Sequence, residues 1–188
     1  MRIISGTLKG KKIIAPKDEK TRPLKDLTKE SIFNIINHSN KFRIDLDNAY
    51  ILDLFSGVGS FGLECLSRGV KKVTFVENYK GVLPILEKNL NNFKKNNNFE
   101  ILNKDIYYEN TFFNLKEKFN IIFLDPPYKD KNINKIFENI RNSEVLENEG
   151  VIILHRHKRE KEIFSKKFKK VDEKIYGLSK IMFFNCLG

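Results

Sequence analysis

The sequence predicts an α/β fold in which helices cover both faces of a mostly parallel, seven-stranded sheet. Three patterns lead to this prediction. Short apolar runs alternate with segments of helical periodicity between residues 49 and 157, and strands that alternate with helices form βαβ units. The runs at 121–124 and 151–154 contain no polar residue, as expected of strands buried on both faces. The tail contains two further strand-like segments, which complete the predicted sheet.

The first forty residues are predicted to form an extension of this fold. Residues 1–15 place isoleucine pairs on either side of Gly6 and Gly10, a pattern typical of a β-hairpin with glycine turns. Residues 24–36 carry apolar side chains at helical spacing. We therefore predict a basic β-hairpin followed by a helix, as a first part of the chain covering residues 1–40.

Residues 41–188 are predicted to form the α/β domain. Its strands are expected at 49–55, 72–77, 99–105, 119–125 and 149–157, and its helices at 63–69, 83–95 and 133–141. Gly69 suits the end of a helix, and Pro84 fits only the first helical turn. The tail breaks at Gly177, which indicates a C-terminal antiparallel hairpin.

Positive charge is concentrated in two short segments. The chain has a formal net charge of +11, and residues 1–25 and 156–170 each contain eight basic and two acidic residues. Basic patches of this kind suit a polyanion, so we interpret them as nucleic-acid contacts. A lysine-rich solvated surface is the alternative.

The composition argues against several classes of protein. No apolar run approaches the roughly 18 residues that a membrane span needs, and the amino terminus lacks an apolar signal-peptide core. We expect a cytoplasmic monomer with no membrane partner. Cys65 and Cys186 form no C-x-x-C pair, so neither a metal site nor a disulfide framework is predicted. His155 and His157 flank Arg156 at a strand end; we expect solvated or RNA-facing histidines there rather than metal ligands.

A glycine loop follows the first strand of the α/β domain. Residues 53–59 read DLFSGVG. Gly57, Gly59 and Gly62 have the G-x-G-x-x-G spacing of a dinucleotide fold, which remains an alternative. However, Asp53 precedes the loop, and its carboxylate would repel a diphosphate. The same carboxylate suits a ligand that carries an ammonium and a sulfonium, such as S-adenosylmethionine.

Acidic residues end the next two predicted strands as well. Glu77 follows Asp53 by 24 residues, close to the spacing of about 20 at which an acid binds a ribose. The Asp105 carboxylate could accept the exocyclic amine of an adenine, with Ile106 against the ring, although such an acid is often only a helix cap. Ligands of open α/β sheets bind at the carboxyl ends of the strands. The series therefore predicts an S-adenosylmethionine site at this edge.

Asp125, Pro126, Pro127 and Tyr128 follow the fourth predicted strand. Prolines have no N–H and a fixed φ, so this segment is rigid and extended. The Asp125 carboxylate and the Pro126 carbonyl could each accept one N–H of an exocyclic amine, while Tyr128 stacks on the base. The amine lone pair would then point at a sulfonium methyl group. The pattern predicts methyl transfer to an amine, with a rigid structural turn as the alternative.

Taken together, the motifs resemble one family. The segments MRIISGTLKGKKI, TRP, ILDLFSGVGSFGLECLSRG, VTFVE, IIFLDPPY and KIYGLSKIMFF are similar to those of the RsmD-type methyltransferases, and the resemblance runs from Met1 to about Phe184. It implies a Rossmann-like class I S-adenosylmethionine-dependent methyltransferase that modifies N2 of a guanine in small-subunit (16S) ribosomal RNA. The implied partner is ribosomal RNA or the small ribosomal subunit.

The resemblance also implies site residues. Those expected to hold the cofactor are Asp53, Phe55, Ser56, Gly57, Gly59, Glu77, Asn78, Asp105 and Ile106. Catalysis is expected at Asp125, Pro126, Pro127 and Tyr128, and RNA contact at Arg2, Lys9, Lys11, Lys12, Arg22 and Arg68. Leu24 departs from the family, which often has Thr after TRP. Two other functions stay open: a DNA amino-methyltransferase that shares the DPPY motif, and a ribosome-assembly protein without catalytic activity.

Overall fold

The computed structural model describes residues 1–16, 24–91, 93, 97–127 and 129–187. Within these ranges seven strands form one sheet: β1 (Tyr50–Leu54), β2 (Lys72–Val76), β3 (Phe99–Leu102), β4 (Phe119–Leu124), β5 (Leu146–His157), β6 (Phe168–Tyr176) and β7 (Ser179–Cys186). The strand order is β3-β2-β1-β4-β5-β7-β6. Strands β1 to β5 pair in parallel, whereas β7 pairs antiparallel with β5 and β6. The predicted fold class and the C-terminal hairpin are confirmed.

Helices pack on both faces of this sheet. They are α1 (Asp26–His38), α2 (Ser60–Ser67), α3 (Leu83–Leu90), α4 (Asn110–Phe113) and α5 (Ile133–Asn142), with a 3-10 turn at Leu46–Asn48. Successive strand residues face opposite sides of a sheet. Accordingly, Ile51 of β1 belongs to the core beneath α1, α2 and α3, and Leu52 belongs to the core beneath α4 and α5. Within the described ranges, no helix combines the length and apolarity that crossing a membrane requires.

An aromatic stack connects two helices to the sheet. The ring centroids of Phe33 in α1 and Phe61 in α2 lie 5.6 Å apart, and those of Phe61 and Phe123 in β4 lie 4.1 Å apart. All three side chains are almost fully buried, and each buried ring of this kind contributes about 1.5–3 kcal/mol. The stack therefore fixes the start of α2 against the end of β4.

Several element boundaries differ from the predicted ones. Helix α2 begins at Ser60 rather than 63, and β3 ends at Leu102 rather than 105. Helix α4 was not predicted, because a single turn of four residues is too short to show helical periodicity. The turn between β6 and β7 is made by Gly177 and Leu178 between the paired residues Tyr176 and Ser179.

The N-terminal segment reverses direction but does not form the predicted pair of strands. Arg2 and Lys12 form an isolated antiparallel bridge, and the Ile3 N–H donates to the Lys11 carbonyl at 2.9 Å. Residues 1–16 contain no strand. The isoleucine pattern reflects instead the burial of Ile3 and Ile13 in the same core as helices α1 to α3.

The reason for this difference is that the segment is bonded to helix α2. The backbone N–H groups of Ile4 and Ser5 donate to the Glu64 carboxylate at 2.7 and 2.9 Å, and the Thr7 N–H donates to the Ser67 carbonyl at 2.7 Å. Donors that bond a helix side chain are not available to a strand ladder. The extension is thus attached to the helix that follows the glycine loop.

Candidate active site

The carboxyl ends of the parallel strands border a cavity of about 560 Å³, a volume suited to a small organic ligand. Its walls come from the loops after β1, β2, β3 and β4, from the end of β5, from the β6–β7 turn and from the residues before α1. The described residues that line it are Leu24, Lys25, Asp53, Phe55, Ser56, Gly57, Val58, Ser60, Phe61, Glu77, Asn78, Tyr79, Val82, Tyr107, Phe123, Asp125, Pro126, Pro127, His155, Leu178 and Ser179.

Asp53 lines the cavity and is 1% exposed. One carboxylate oxygen, Oδ2, accepts a hydrogen bond from the Gly62 N–H at 3.0 Å. The pKa of Asp53 is raised to about 8, and burial is the main cause. The Gly62 hydrogen bond opposes the shift, and the charges of Asp125 and Glu77 add to it. At a pKa of about 8, the acid is largely protonated at neutral pH. A cation beside it would favour the ionised form.

Glu77 connects the glycine loop to the loop after β2. Its Oε2 accepts the Gly57 N–H at 2.8 Å, and its Oε1 accepts the N–H groups of Asn78 and Tyr79 at 2.9 and 2.8 Å. Both oxygens of this buried carboxylate therefore organise backbone that lines the cavity. This bonding to the backbone was not predicted, and any ribose contact would have to use the remaining lone pairs of the same oxygens.

The glycine loop has an unusual backbone conformation. Gly57 and Gly59 have φ of 55° and 83°, and Phe55 has φ of 57° although it carries a side chain. A bulky residue in this region is strained, and such strain concentrates at binding sites. Ser60 begins α2, and its hydroxyl is buried without a hydrogen-bond partner among the described residues. This orphan hydroxyl is available to a polar ligand.

The third predicted acid does not line the cavity. Asp105 accepts the Tyr107 N–H at 2.9 Å, and its carbonyl accepts the Thr111 hydroxyl at 2.7 Å. Ile106 is buried in the core beneath α5. Asp105 and Ile106 are not among the residues that line the cavity, and one carboxylate oxygen of Asp105 holds a turn. Their contact with an adenine stays a prediction. Tyr107 lines the cavity at this position instead.

Asp125 follows β4 directly and pairs with a residue that was predicted to face solvent or RNA. His155 is 6% exposed, and its Nδ1 lies 2.8 Å from Oδ1 of Asp125. The prediction that His155 is solvated was wrong because β5 is the parallel neighbour of β4, so the ends of the two strands meet beside the cavity. The sequence offered one signal for this contact, because Asp125 and His155 both lie near the ends of predicted strands.

The comparisons with known proteins agree with this geometry. A family model described as Conserved hypothetical protein 95 matches residues 1–185. The chain belongs to this family of RsmD-type methyltransferases. A Bacillus subtilis (strain 168) protein named "Putative rRNA methyltransferase YlbH" is 34% identical over 164 residues, which cover 87% of this chain and 85% of that protein.

Two further relatives support the family and the fold. "Ribosomal RNA small subunit methyltransferase D" of Haemophilus influenzae is 36% identical over 129 residues, 68% of this chain and 64% of that protein. The solved structure of "Putative methyltransferase yhhF from Escherichia coli" superposes with a TM-score of 0.81 at 25% identity, covering 100% of this chain and 98% of that one. The predicted resemblance to the RsmD-type family and the class I methyltransferase fold are confirmed.

In this RsmD-type chain, Arg156 holds the loop that carries Asp125. The guanidinium is 1% exposed. It donates to the carbonyls of Pro127 at 3.0 Å and Asp130 at 2.7 Å and contacts the Glu162 carboxylate. Arg156 was counted among the basic residues facing a polyanion, and this was wrong because its donors are used inside the protein. Tyr128 lies outside the described residues.

Four of the predicted RNA contacts are exposed and one is half-buried. Arg2, Lys9, Lys11 and Lys12 are exposed on the N-terminal segment, although Arg2 also lies 3.5 Å from Asp26. Arg22 lies outside the described residues.

Arg68 is half-buried. Its side chain is 15% exposed, its Nε donates to Glu64 at 2.9 Å, and its guanidinium lies 3.9 Å above the Phe33 ring. This geometry leaves Arg68 little surface for RNA and indicates a structural role, contrary to the prediction.

Proposed function

We propose that this protein transfers a methyl group from S-adenosylmethionine to the exocyclic N2 amine of a guanine in small-subunit (16S) ribosomal RNA. The observation that carries the proposal is that Asp53 and Asp125, followed by Pro126 and Pro127, border one cavity. One end has a buried acid that would pair with a cation, and the other has rigid acceptors for an amine. The choice of small-subunit ribosomal RNA as the substrate comes from the names of the relatives.

The residues around Asp53 fit the proposed cofactor. The acid gains its charge when a cation approaches, the Ser60 hydroxyl lacks a partner, and Phe55 and Val82 give the cavity apolar wall. We propose that the cofactor is held by Asp53, Phe55, Ser56, Gly57, Glu77 and Asn78, which line the cavity. Gly59 shapes the glycine loop through its positive φ, and Asp105 and Ile106 stay the proposed adenine contacts. When bound, S-adenosylmethionine supplies an electrophilic methyl group on a positively charged sulfur. The Glu77 carboxylate keeps the glycine loop in the required shape.

Asp125 and the two prolines are proposed to present the amine. The Asp125 carboxylate accepts one N–H and the Pro126 carbonyl accepts the other, so the nitrogen lone pair turns out of the plane of the base. Attack by this lone pair would form the new C–N bond as the bond between the methyl group and sulfur breaks, and the displaced electron pair would remain on sulfur. Asp125 stabilises the positive charge that develops on nitrogen and accepts its proton. Positioning and electrostatics supply the catalysis, and Tyr128 is still predicted to stack on the base.

RNA is proposed to bind along the exposed basic residues. Lys9, Lys11 and Lys12 lie on the N-terminal segment, and Lys158 and Arg159 follow β5 on the cavity side of the sheet. Phosphate contacts from such residues orient a nucleic acid without reading its sequence. A guanine that is stacked or paired in the RNA would be flipped into the cavity. The division at residue 40, the monomeric state and the cytoplasmic location stay predictions.

The experiment uses radiolabelled S-adenosylmethionine with three substrates: small ribosomal subunits, naked 16S RNA and duplex DNA. We expect label in RNA, recovered as N2-methylguanine after digestion and mass analysis. Asp125→Ala should abolish transfer while RNA affinity changes by less than about threefold, because the phosphate contacts lie elsewhere. Asp47→Ala is the matched control, since Asp47 is exposed before the amino end of β1.

Two outcomes would replace the proposal. Label in DNA but not in RNA would identify a DNA amino-methyltransferase. RNA binding by the unaltered protein with no transfer to any substrate would identify an assembly protein without catalytic activity.

A further inference from the structure

His155 is a buried residue, and only one of its two ring nitrogens has a hydrogen-bond partner among the described residues. Its Nδ1 lies 2.8 Å from Oδ1 of Asp125, while its Nε2 is buried and has no hydrogen-bond partner among the described residues. The side chains of His155 and Asp125 are 8% and 19% exposed. The contact therefore lies largely away from water, where a hydrogen bond orients its partners strongly.

The two nitrogens of His155 determine where its proton resides. An ionised carboxylate only accepts hydrogen bonds, so the nitrogen facing Asp125 carries the proton. Nε2 is then a bare acceptor.

We propose that His155 is a positioning residue for methyl transfer, fixing the Asp125 carboxylate through the Nδ1–H···Oδ1 hydrogen bond so that Oδ2 receives the amine N–H. This inference rests on the proposed function of Asp125. A carboxylate held only by its own backbone rotates about its side-chain bonds, and a misplacement of about 1 Å at a reacting group can cost about 100-fold in rate. His155 touches neither the amine nor the methyl group and acts through Asp125.

The backbone supports this role. His155 lies on β5 and pairs with Ile181 of β7, while the preceding residue, Leu154, pairs with Leu124 of β4. Strands on both sides therefore hold the histidine backbone. Arg156, next in the chain, donates to carbonyls of the loop after β4. The end of β5 thus fixes both the carboxylate of Asp125 and the loop that follows it.

Three substitutions separate a donor at Nδ1 from simple filling of space. His155→Leu removes both nitrogens. His155→Asn keeps an N–H donor on an atom bonded to Cγ, the position that Nδ1 has in histidine. His155→Gln places its N–H donor one bond further along the side chain, near the position of Nε2. His38→Asn is the matched control, because His38 is exposed at the end of α1. Steady-state kinetics on the RNA substrate would give kcat and KM for each variant, and calorimetry would give the affinity for S-adenosylmethionine.

We expect His155→Leu and His155→Gln to lower kcat by about 10- to 100-fold, with KM for RNA and cofactor affinity within about threefold of the unaltered protein. His155→Asn should recover kcat to within about fivefold. An unchanged kcat for His155→Leu would overturn the proposal, as would equal losses in the Asn and Gln variants. Thermal unfolding and cofactor binding would show whether the Leu variant folds. If it does not, the ratio of kcat between the Asn and Gln variants tests the proposal. An inactive unaltered protein would instead disprove the proposed function and with it this inference.

Discussion

Gly6 lies so close to helix α2 that a Cβ atom added to it would be 1.7 Å from the carbonyl oxygen of Ser67. The contact is held by the Thr7 N–H, which donates to that same oxygen. Real Cβ atoms do not approach a carbonyl this closely, so any side chain at Gly6 must displace the N-terminal segment from α2.

Gly6→Ala should therefore destabilise the protein more than Gly10→Ala. Both glycines have positive φ, 82° and 84°, so both substitutions carry the cost of a left-handed residue, about 1–2 kcal/mol. Only Gly6→Ala adds overpacking, about 1–3 kcal/mol, because nothing lies within 4 Å of a Cβ at Gly10. Urea unfolding measures the difference, and limited proteolysis would show release of the N-terminal segment. Equal losses of stability would contradict the packing argument.

The stability of the protein should depend on the ionisation of Asp53. The folded-state pKa is raised to about 8, above its unfolded value, so the folded protein binds the extra proton between about pH 4 and pH 8. The stability contributed by the protonated acid is complete below that window and is lost as the pH rises through it, by about 1.4 kcal/mol per pH unit. Asp53→Asn should flatten the dependence. Denaturant unfolding of both proteins from pH 5 to pH 8 tests this, and parallel curves would refute it.

The same acid should link cofactor affinity to pH, if the proposed function holds. Binding a cation requires Asp53 to lose its proton, so affinity should rise by up to about tenfold per pH unit as the pH approaches 8. Calorimetry in two buffers of different ionisation enthalpy would count the released proton. Asp53→Asn should bind the cofactor more weakly and release fewer protons. An equal proton release from both proteins would assign the linkage to another group.

Much of the fold was predictable because its signals are local. Apolar runs such as those of β4 and β5 identify strands buried on both faces, and Pro84 marks the first turn of α3. Asp53, Glu77 and Asp125 were identified because an acid directly after an apolar run lies at the carboxyl edge whatever the order of the strands. Position along the chain was sufficient for these three residues.

The features that could not be predicted are contacts between segments that lie far apart in the sequence. His155 and Arg156 were interpreted as surface residues, since only the β4–β5 pairing brings them to the DPPY loop. The N-terminal segment suggested two strands, because its partner Glu64 is about sixty residues away. Asp105 has the same position after its strand as the other acids, yet its carboxylate bonds the Tyr107 N–H. A pattern in the sequence does not distinguish these outcomes.

Arg156 should matter to both stability and turnover. The buried guanidinium bonds the carbonyls of Pro127 and Asp130 and contacts Glu162. Arg156→Met leaves the Asp130 carbonyl without this donor. The Pro127 carbonyl keeps only the Asp130 N–H at 2.9 Å, and the Glu162 carboxylate keeps only Lys180 at 3.8 Å. Breaking a buried ion pair costs about 3–5 kcal/mol. Thermal unfolding should show the loss, and kcat should fall because the loop after Asp125 is no longer held. Arg43→Met is the matched control, since Arg43 is exposed before β1. A variant with unaltered stability would show that Arg156 is dispensable.

Reversing the charge of Lys11 and Lys12 should weaken RNA binding in a salt-dependent manner. Both side chains are exposed on the N-terminal segment. If each contacts a phosphate, Lys11→Glu with Lys12→Glu lowers the slope of log affinity against log salt by about 0.7–0.9 per contact removed. Lys116→Glu with Lys118→Glu makes the same change of charge just before the amino end of β4, on the side of the sheet away from the cavity. Binding measured at several salt concentrations separates the two pairs. A slope that changes equally in both would mean that net charge, rather than the N-terminal segment, determines RNA affinity.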